Sequence, residues 1–198
     1  MLNFMKKNEK KKIKKGDYGY LCARKKRLGM ITLFCLGMVV AFFLTGYLTT
    51  KTRNNLFTII AILSALPAAK FAASFLVLLP YQNVSLEEYQ RVSEHAKNVL
   101  LFTDLVITTG EKTLPTLFIA VHNSSVCGYT KEKKYDTAYA EEFLTKNLTT
   151  NGQKATVKIV KEEKVFLHRL DAMGQVATEE KQQKKDQRIG EILLTLIM

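Results

Sequence analysis

The chain has 198 residues, with 30 Lys+Arg against 18 Asp+Glu, a formal charge of +12 and a pI near 9.6. Residues 1–27 hold eleven of the basic residues against Glu9 and Asp17, residues 28–80 add Lys51, Arg53 and Lys70, and the stretch from Tyr81 onward has sixteen of each sign. That division excludes a uniformly basic nucleic-acid binder, and three scattered cysteines (Cys22, Cys35, Cys127) exclude a disulfide framework or a CxxC metal pair.

The basic residues of 1–27 are Lys6, Lys7, Lys10, Lys11, Lys12, Lys14, Lys15, Arg24, Lys25, Lys26 and Arg27. A run such as KKNEKKKIKK has too little apolar content to fold alone, so 1–27 is expected to be a disordered juxtamembrane tail. Directly ahead of an apolar segment, it reads as a topology determinant that adheres to anionic lipid. A nucleic-acid contact and a docking site for an acidic partner are the competing readings, and nucleic acid is not the expected partner. Cys22 reads as an ordinary thiol, with S-palmitoylation as the alternative.

Residues 28–48 (LGMITLFCLGMVVAFFLTGYL) contain no charge and are long enough to cross a hydrocarbon core of about 30 Å. A signal peptide has a shorter apolar core and a small-x-small cleavage site, so a membrane span is expected instead. After a short external loop, 49–55, residues 56–79 form a second span that contains Pro67 and Lys70. Its leucines, isoleucines and phenylalanines outweigh the cost of one lysine, and a kink is expected ahead of Pro67. Gly37 and Ala41 on the first span, and Ala61, Ala65, Ala69 and Ala73 on the second, recur every four residues and suggest a close helix contact. Lys70 has no acidic partner in either span, so it pairs with another subunit or snorkels. Eleven positives before the first span and two in the loop place the amino terminus and residues 81–198 in the cytoplasm, at a plasma or inner membrane.

Ser85-Leu86-Glu87-Glu88 is a capping box that opens a helix from Leu86 to about Lys97. Strands are expected over Asn98–Thr108, Leu117–His122 and Ser125–Thr130, and Asp136 caps a helix that stops at Asn151-Gly152. Lys154–Val160 alternates polar and apolar residues, as a strand with one wet face does. Val165–Leu170 reads equally as strand or helix. Ile189, Ile192, Leu193, Leu196 and Ile197 form one stripe of a terminal helix, packed on the domain or free for a partner. The expected class is an α+β domain, in the order α-β-β-β-α-β followed by a C-terminal helix, attached to a two-helix transmembrane hairpin.

That element order over residues 86–160, with Asp104 in FTDLVIT, the strand LFIAVH and the following SVCGYT, resembles the restriction-endonuclease-like core, especially nuclease-related (NERD-type) domains. The resemblance implies an Asp and a Glu-x-Lys that hold Mg²⁺ and position a water for phosphodiester cleavage. Asp104 stands at the Asp position, but the Glu-x-Lys position falls on Ala120-Val121-His122, which lacks the carboxylate and the lysine. One carboxylate is too few for a hydrolytic metal site, so the resemblance implies an inactive copy. His122 and Cys127 could also form a base and nucleophile, or two metal ligands, but no third orienting group or Cys/His spacing of known type supports either, and His95 and His168 are isolated. No cofactor motif is present. The expected role is a non-catalytic, membrane-anchored interaction or scaffold module, with an oligomer or protein partner. The alternatives are a tethered nuclease-like domain or a small subunit of a transport assembly.

Overall fold

The computed structural model describes residues 13–51, 56–110, 112–177 and 179–197. They divide into two compact units, one over Leu21–Gln82 and one that joins Met1–Tyr20 to Asn83–Met198.

The first unit is built on α1 (Tyr20–Thr50) and α2 (Leu56–Leu78), two helices long and apolar enough to cross a membrane. Helix α1 begins eight residues before the apolar run, so Cys22 and Arg24–Arg27 sit on its first turns rather than in a disordered tail. The sequence Leu-Cys-Ala-Arg-Lys-Lys-Arg is mostly good helix formers, and the break comes just before it at Gly19, whose φ is +79°. Helix α2 continues through Pro67. Of the expected loop, residues 52–55 lie outside the described residues.

The buried faces of these helices differ from the expected stripe. On α1, Leu28, Thr32, Cys35, Val39, Phe42 and Gly46 are buried or half-buried, in steps of four and three. On α2 the same holds for Ala61, Ser64, Ala68, Phe71, Phe75 and Leu78. Gly37, Ala41, Ala65, Ala69 and Ala73 are exposed, and a Cβ on Gly37 would meet nothing within 4 Å. The reason is angular: a strict step of four overshoots one turn by about 40°, so such a stripe winds off the contact face within three steps.

The second unit is a three-layer sandwich. Its sheet runs in the order β1 (Leu100–Thr108), β2 (Thr113–His122), β3 (Ser125–Tyr129), β4 (Thr156–Val160), with two antiparallel pairings followed by a parallel one. Helix α3 (Leu86–His95) and α5 (Glu163–Gly174) cover one face, where Val92, Phe166 and Leu170 meet Phe118, Ala120, Cys127 and Tyr129. Helix α4 (Thr137–Thr150) and α6 (Glu180–Thr195) cover the other, where Leu144, Leu148, Ile189 and Leu193 meet Ile119, Val121 and Ile159. Phe118, Ile119, Ala120 and Val121 thus feed the two cores alternately, which explains a strand apolar on both sides. Burial of each large side chain stabilises by about 1.5–3 kcal/mol. The ambiguous Val165–Leu170 is helical because Phe166 and Leu170, one turn apart, are both fully buried.

The terminal helix packs on the domain. Ile189, Leu193 and Ile197 are buried, and Ile197 bridges to Ile107 of β1. Thr108 N donates to Leu196 O, and further along the same edge Thr103 N donates to Gly16 O at 2.8 Å. Lys15 Nζ closes the pair of segments by donating to Ile197 O at 2.8 Å. Residues near both chain ends therefore satisfy the exposed side of the edge strand β1, which would otherwise be a template for foreign strands.

Candidate functional site

Asp104 occupies a kink in β1. Thr103 pairs with Phe118 and Leu105 with Thr116, so Asp104 and Leu117 leave the ladder together, and Asp104 adopts φ +57°. The conformation is costly for most residues and tolerated by Asp. It turns the carboxylate to two main-chain amides from distant segments: Oδ2 accepts from Gly19 N and Oδ1 from Val84 N, each at 2.9 Å. Gly19 immediately precedes α1 and Val84 follows α2 by six residues, so one buried side chain fastens the chain on both sides of the hairpin. A carboxylate whose two oxygens accept amides is a structural clamp.

The segment 13–19 completes this arrangement. A Cβ on Gly16 would lie 2.8 Å from both Phe102 and Leu194, and one on Gly190 would lie 2.5 Å from Phe102. Two glycines thus admit the Phe102 ring between the N-terminal segment and α6, and the Tyr18 and Tyr89 rings pack at 4.7 Å between centroids, tilted by 30°. Part of the expected tail is therefore a folded strap.

His122 lies elsewhere. It is five residues beyond the level of Asp104 along β2, about 17 Å at 3.4 Å per residue, too far to share one metal ion. Its Nδ1 is 3.1 Å from Asn98 O and its Nε2 2.9 Å from Val176 O. The adjacent turn Asn123-Ser124, with φ of 49° and 58°, is a tight two-residue hairpin. Buried Asp186 of α6 accepts both turn amides, at 2.7 and 2.9 Å, and Gln182 Nε2 at 3.2 Å. A cleft of ≈ 270 Å³ opens beside them, with Asn98, Leu100, Val121 and Gln183 among its walls.

Cys127 is opposite Ala120 while His122 is opposite Ser125, and the thiol sits in the core beneath α5. Burial pushes its pKa up to about 11, with Arg169 lowering it to a smaller extent and Glu141 adding to the rise, so it is a protonated core thiol and not a nucleophile. His95 pairs with Asp171 at 2.8 Å between α3 and α5, and His168 is exposed. Among the described residues no group of three His, Cys, Asp or Glu side chains is placed to hold a metal ion.

The basic residues have separate roles. Lys6, Lys7, Lys10, Lys11 and Lys12 lie outside the described residues, and Lys14 is exposed. Lys15 and Lys25 are engaged by the fold, Lys25 by donating to Leu79 O and Tyr81 O beyond α2. Arg24 is half-buried, whereas Lys26, Arg27 and Lys70 are exposed.

Asp186, Gly16 and the Asp104 clamp are absent from the sequence expectations. Asp186 had a signal, since it lies three residues before Ile189 on the apolar stripe, where a carboxylate needs partners. The strap had one in Gly16-Asp17-Tyr18-Gly19, a turn-forming interruption of the basic run. No protein-family model matches the chain, and neither a curated protein nor a solved structure matches it.

Proposed function

We propose that the chain is a non-catalytic, membrane-anchored interaction or scaffold protein whose N-terminal strap and α+β domain work together on the cytoplasmic side of a plasma or inner membrane. The supporting observation is the Asp104 clamp. Gly19 before α1 and Val84 after α2 bind the same carboxylate, which requires the chain to return to the side from which it entered. An antiparallel pair of spans meets that requirement, and the basic excess ahead of α1 selects the cytoplasmic side. Anionic lipid is one partner, through the basic juxtamembrane residues, and a protein or a second copy is the other. The neutral balance after Tyr81 offers nucleic acid no footprint. No step of this role calls for a cofactor.

The experiment is site-directed labelling. Cys127 is buried, so the reporter is Lys146→Cys, at an exposed position of α4, in a Cys22→Ser, Cys35→Ser background. A membrane-impermeant maleimide leaves intact cells unlabelled and labels after permeabilisation; labelling of intact cells overturns the orientation. Purification of the full chain in mild detergent tests the scaffold role, and a complex mass equal to one chain, with no bound protein, counts against it.

A further inference from the structure

The two hairpin helices share one depth scale. Lys25 Nζ donates to Leu79 O at 3.5 Å, and a Cβ on Gly29 would lie 3.2 Å from the Phe75 ring. Four residues along α1 match four residues back along α2, which fixes an antiparallel register. By that register Leu28, the first residue of the apolar run, is level with Leu76, and Lys70 is level with Phe34. Lys70 is thus six residues inside the boundary set by Leu28, about 9 Å at the helical rise, and nine residues before Leu79, where its own apolar run ends.

Its surroundings identify what it meets. Lys70 is exposed, and Leu63, Leu66 and Val77, at seven and four residues before it and seven after, are exposed on the same face. Neither span contains Asp or Glu, so this chain offers no carboxylate at that depth. The four-carbon stem can lie along the apolar surface and carry the ammonium toward the near boundary. There Lys26 and Arg27 are exposed on α1, just outside the apolar run.

We propose that Lys70, Lys26 and Arg27 bind the phosphate groups of anionic phospholipid in the leaflet where both chain ends emerge. This rests on the membrane anchoring proposed above and names its lipid chemistry. Lys70 then acts as a depth anchor: its ammonium reaches the headgroups only when the spans sit at the correct height. Lys25 is excluded, since its ammonium is held by the carbonyls that follow α2.

The test uses the full chain in mild detergent, supplied with equal phosphatidylglycerol and phosphatidylcholine, with retained lipid counted by native mass spectrometry. Wild type retains phosphatidylglycerol preferentially. Lys70→Leu lowers the ratio of the two lipids about fivefold, as expected for one basic residue at an anionic surface, and Lys70→Arg keeps it. Lys26→Gln with Arg27→Gln lowers it further. An unchanged ratio in Lys70→Leu overturns the proposal. So does loss of a second copy from the complex in the same spectra, which would assign Lys70 to a protein interface. Failure of the anchoring itself is read separately, as wild-type chain in the soluble fraction before detergent is added.

Discussion

The two units differ in what they leave exposed. In the hairpin the buried positions include Thr32, Gly46, Ala61 and Ala68, while large apolar side chains such as Leu33, Phe34, Ile62 and Leu66 face outward. In the α+β unit the large side chains, Phe118, Phe166, Leu144 and Ile189 among them, are inside. Among the described residues, the exposed large apolar side chains outside residues 28–79 are only Ile13, Leu86, Val165 and Val176. The helices of the first unit are long and apolar enough to cross a membrane, a solvent in which close backbone approach holds helices together, whereas the second unit is held by burial of apolar area. Asp104 and Lys70 follow the same division. Asp104 is buried because two amides satisfy it, and Lys70 is exposed to a surface that has no such groups.

The largest expected effect falls on the clamp. Asp104→Ala strips the acceptor from the amides of Gly19 and Val84 and leaves alanine at φ +57°, for a loss of about 3 kcal/mol or more in denaturant unfolding of the full chain in detergent. Asp104→Asn keeps one acceptor and tolerates that backbone, so it loses less. Wild-type stability in Asp104→Ala would separate the strap from the domain and break the contrast between a satisfied and an exposed charge.

A pair of hairpin substitutions sharpens the contrast between inside and outside. Ala68→Phe overfills a position 1% exposed and should cost about 1–3 kcal/mol in thermal melts in detergent. Gly37→Phe points away from any neighbour and should stay within about 0.5 kcal/mol. The reverse order would restore the step of four as the contact face.

The smallest effect is alkaline and belongs to the α+β unit. Burial raises Cys127 from 9.0 to about 11 and Tyr135 from 10.0 to about 12, the latter against the hydrogen bond with Thr116. Both groups are protonated in the folded chain and ionise more readily in the unfolded one. The stability they contribute is full below pH 9.0 and falls as pH rises, first through Cys127 and then through Tyr135. Melting temperatures across that range should decline, and Cys127→Ala should flatten the first part of the decline. An unchanged slope in that variant would remove the thiol from the explanation.

Much of the local structure was legible. The capping box is present as read: Ser85 Oγ accepts from Glu88 N at 3.2 Å, and Glu88 Oε2 from Ser85 N at 3.1 Å. Asp136 caps α4 through Tyr139 N, and the spacing of Ile189 and Leu193 identified the buried stripe of α6, while Ile197, read as part of the same stripe, lies beyond the helix end at Thr195 and bridges to Ile107. Strand β2 begins four residues ahead of the expectation, at Thr113, because its start is fixed by pairing with Thr108 and not by its own composition. The candidate site was less legible. Asp104 was singled out for a metal, and its partners, Gly19 and Val84, are 85 and 20 residues away in sequence.

The sequence by itself determined most of the helices and strands, α5 and the first turns of α1 excepted, the caps of α3 and α4, and which two helices are apolar enough for a membrane. Those properties depend on neighbours within a few residues, on spacing and on side-chain chemistry. Tertiary structure decided the contact face of each apolar helix, the folding of residues 13–19 as a strap, and the role of Asp104. Each of these depends on pairing between segments far apart along the chain. A carboxylate that could hold a metal ion holds two amides instead, because the fold brings those amides to it.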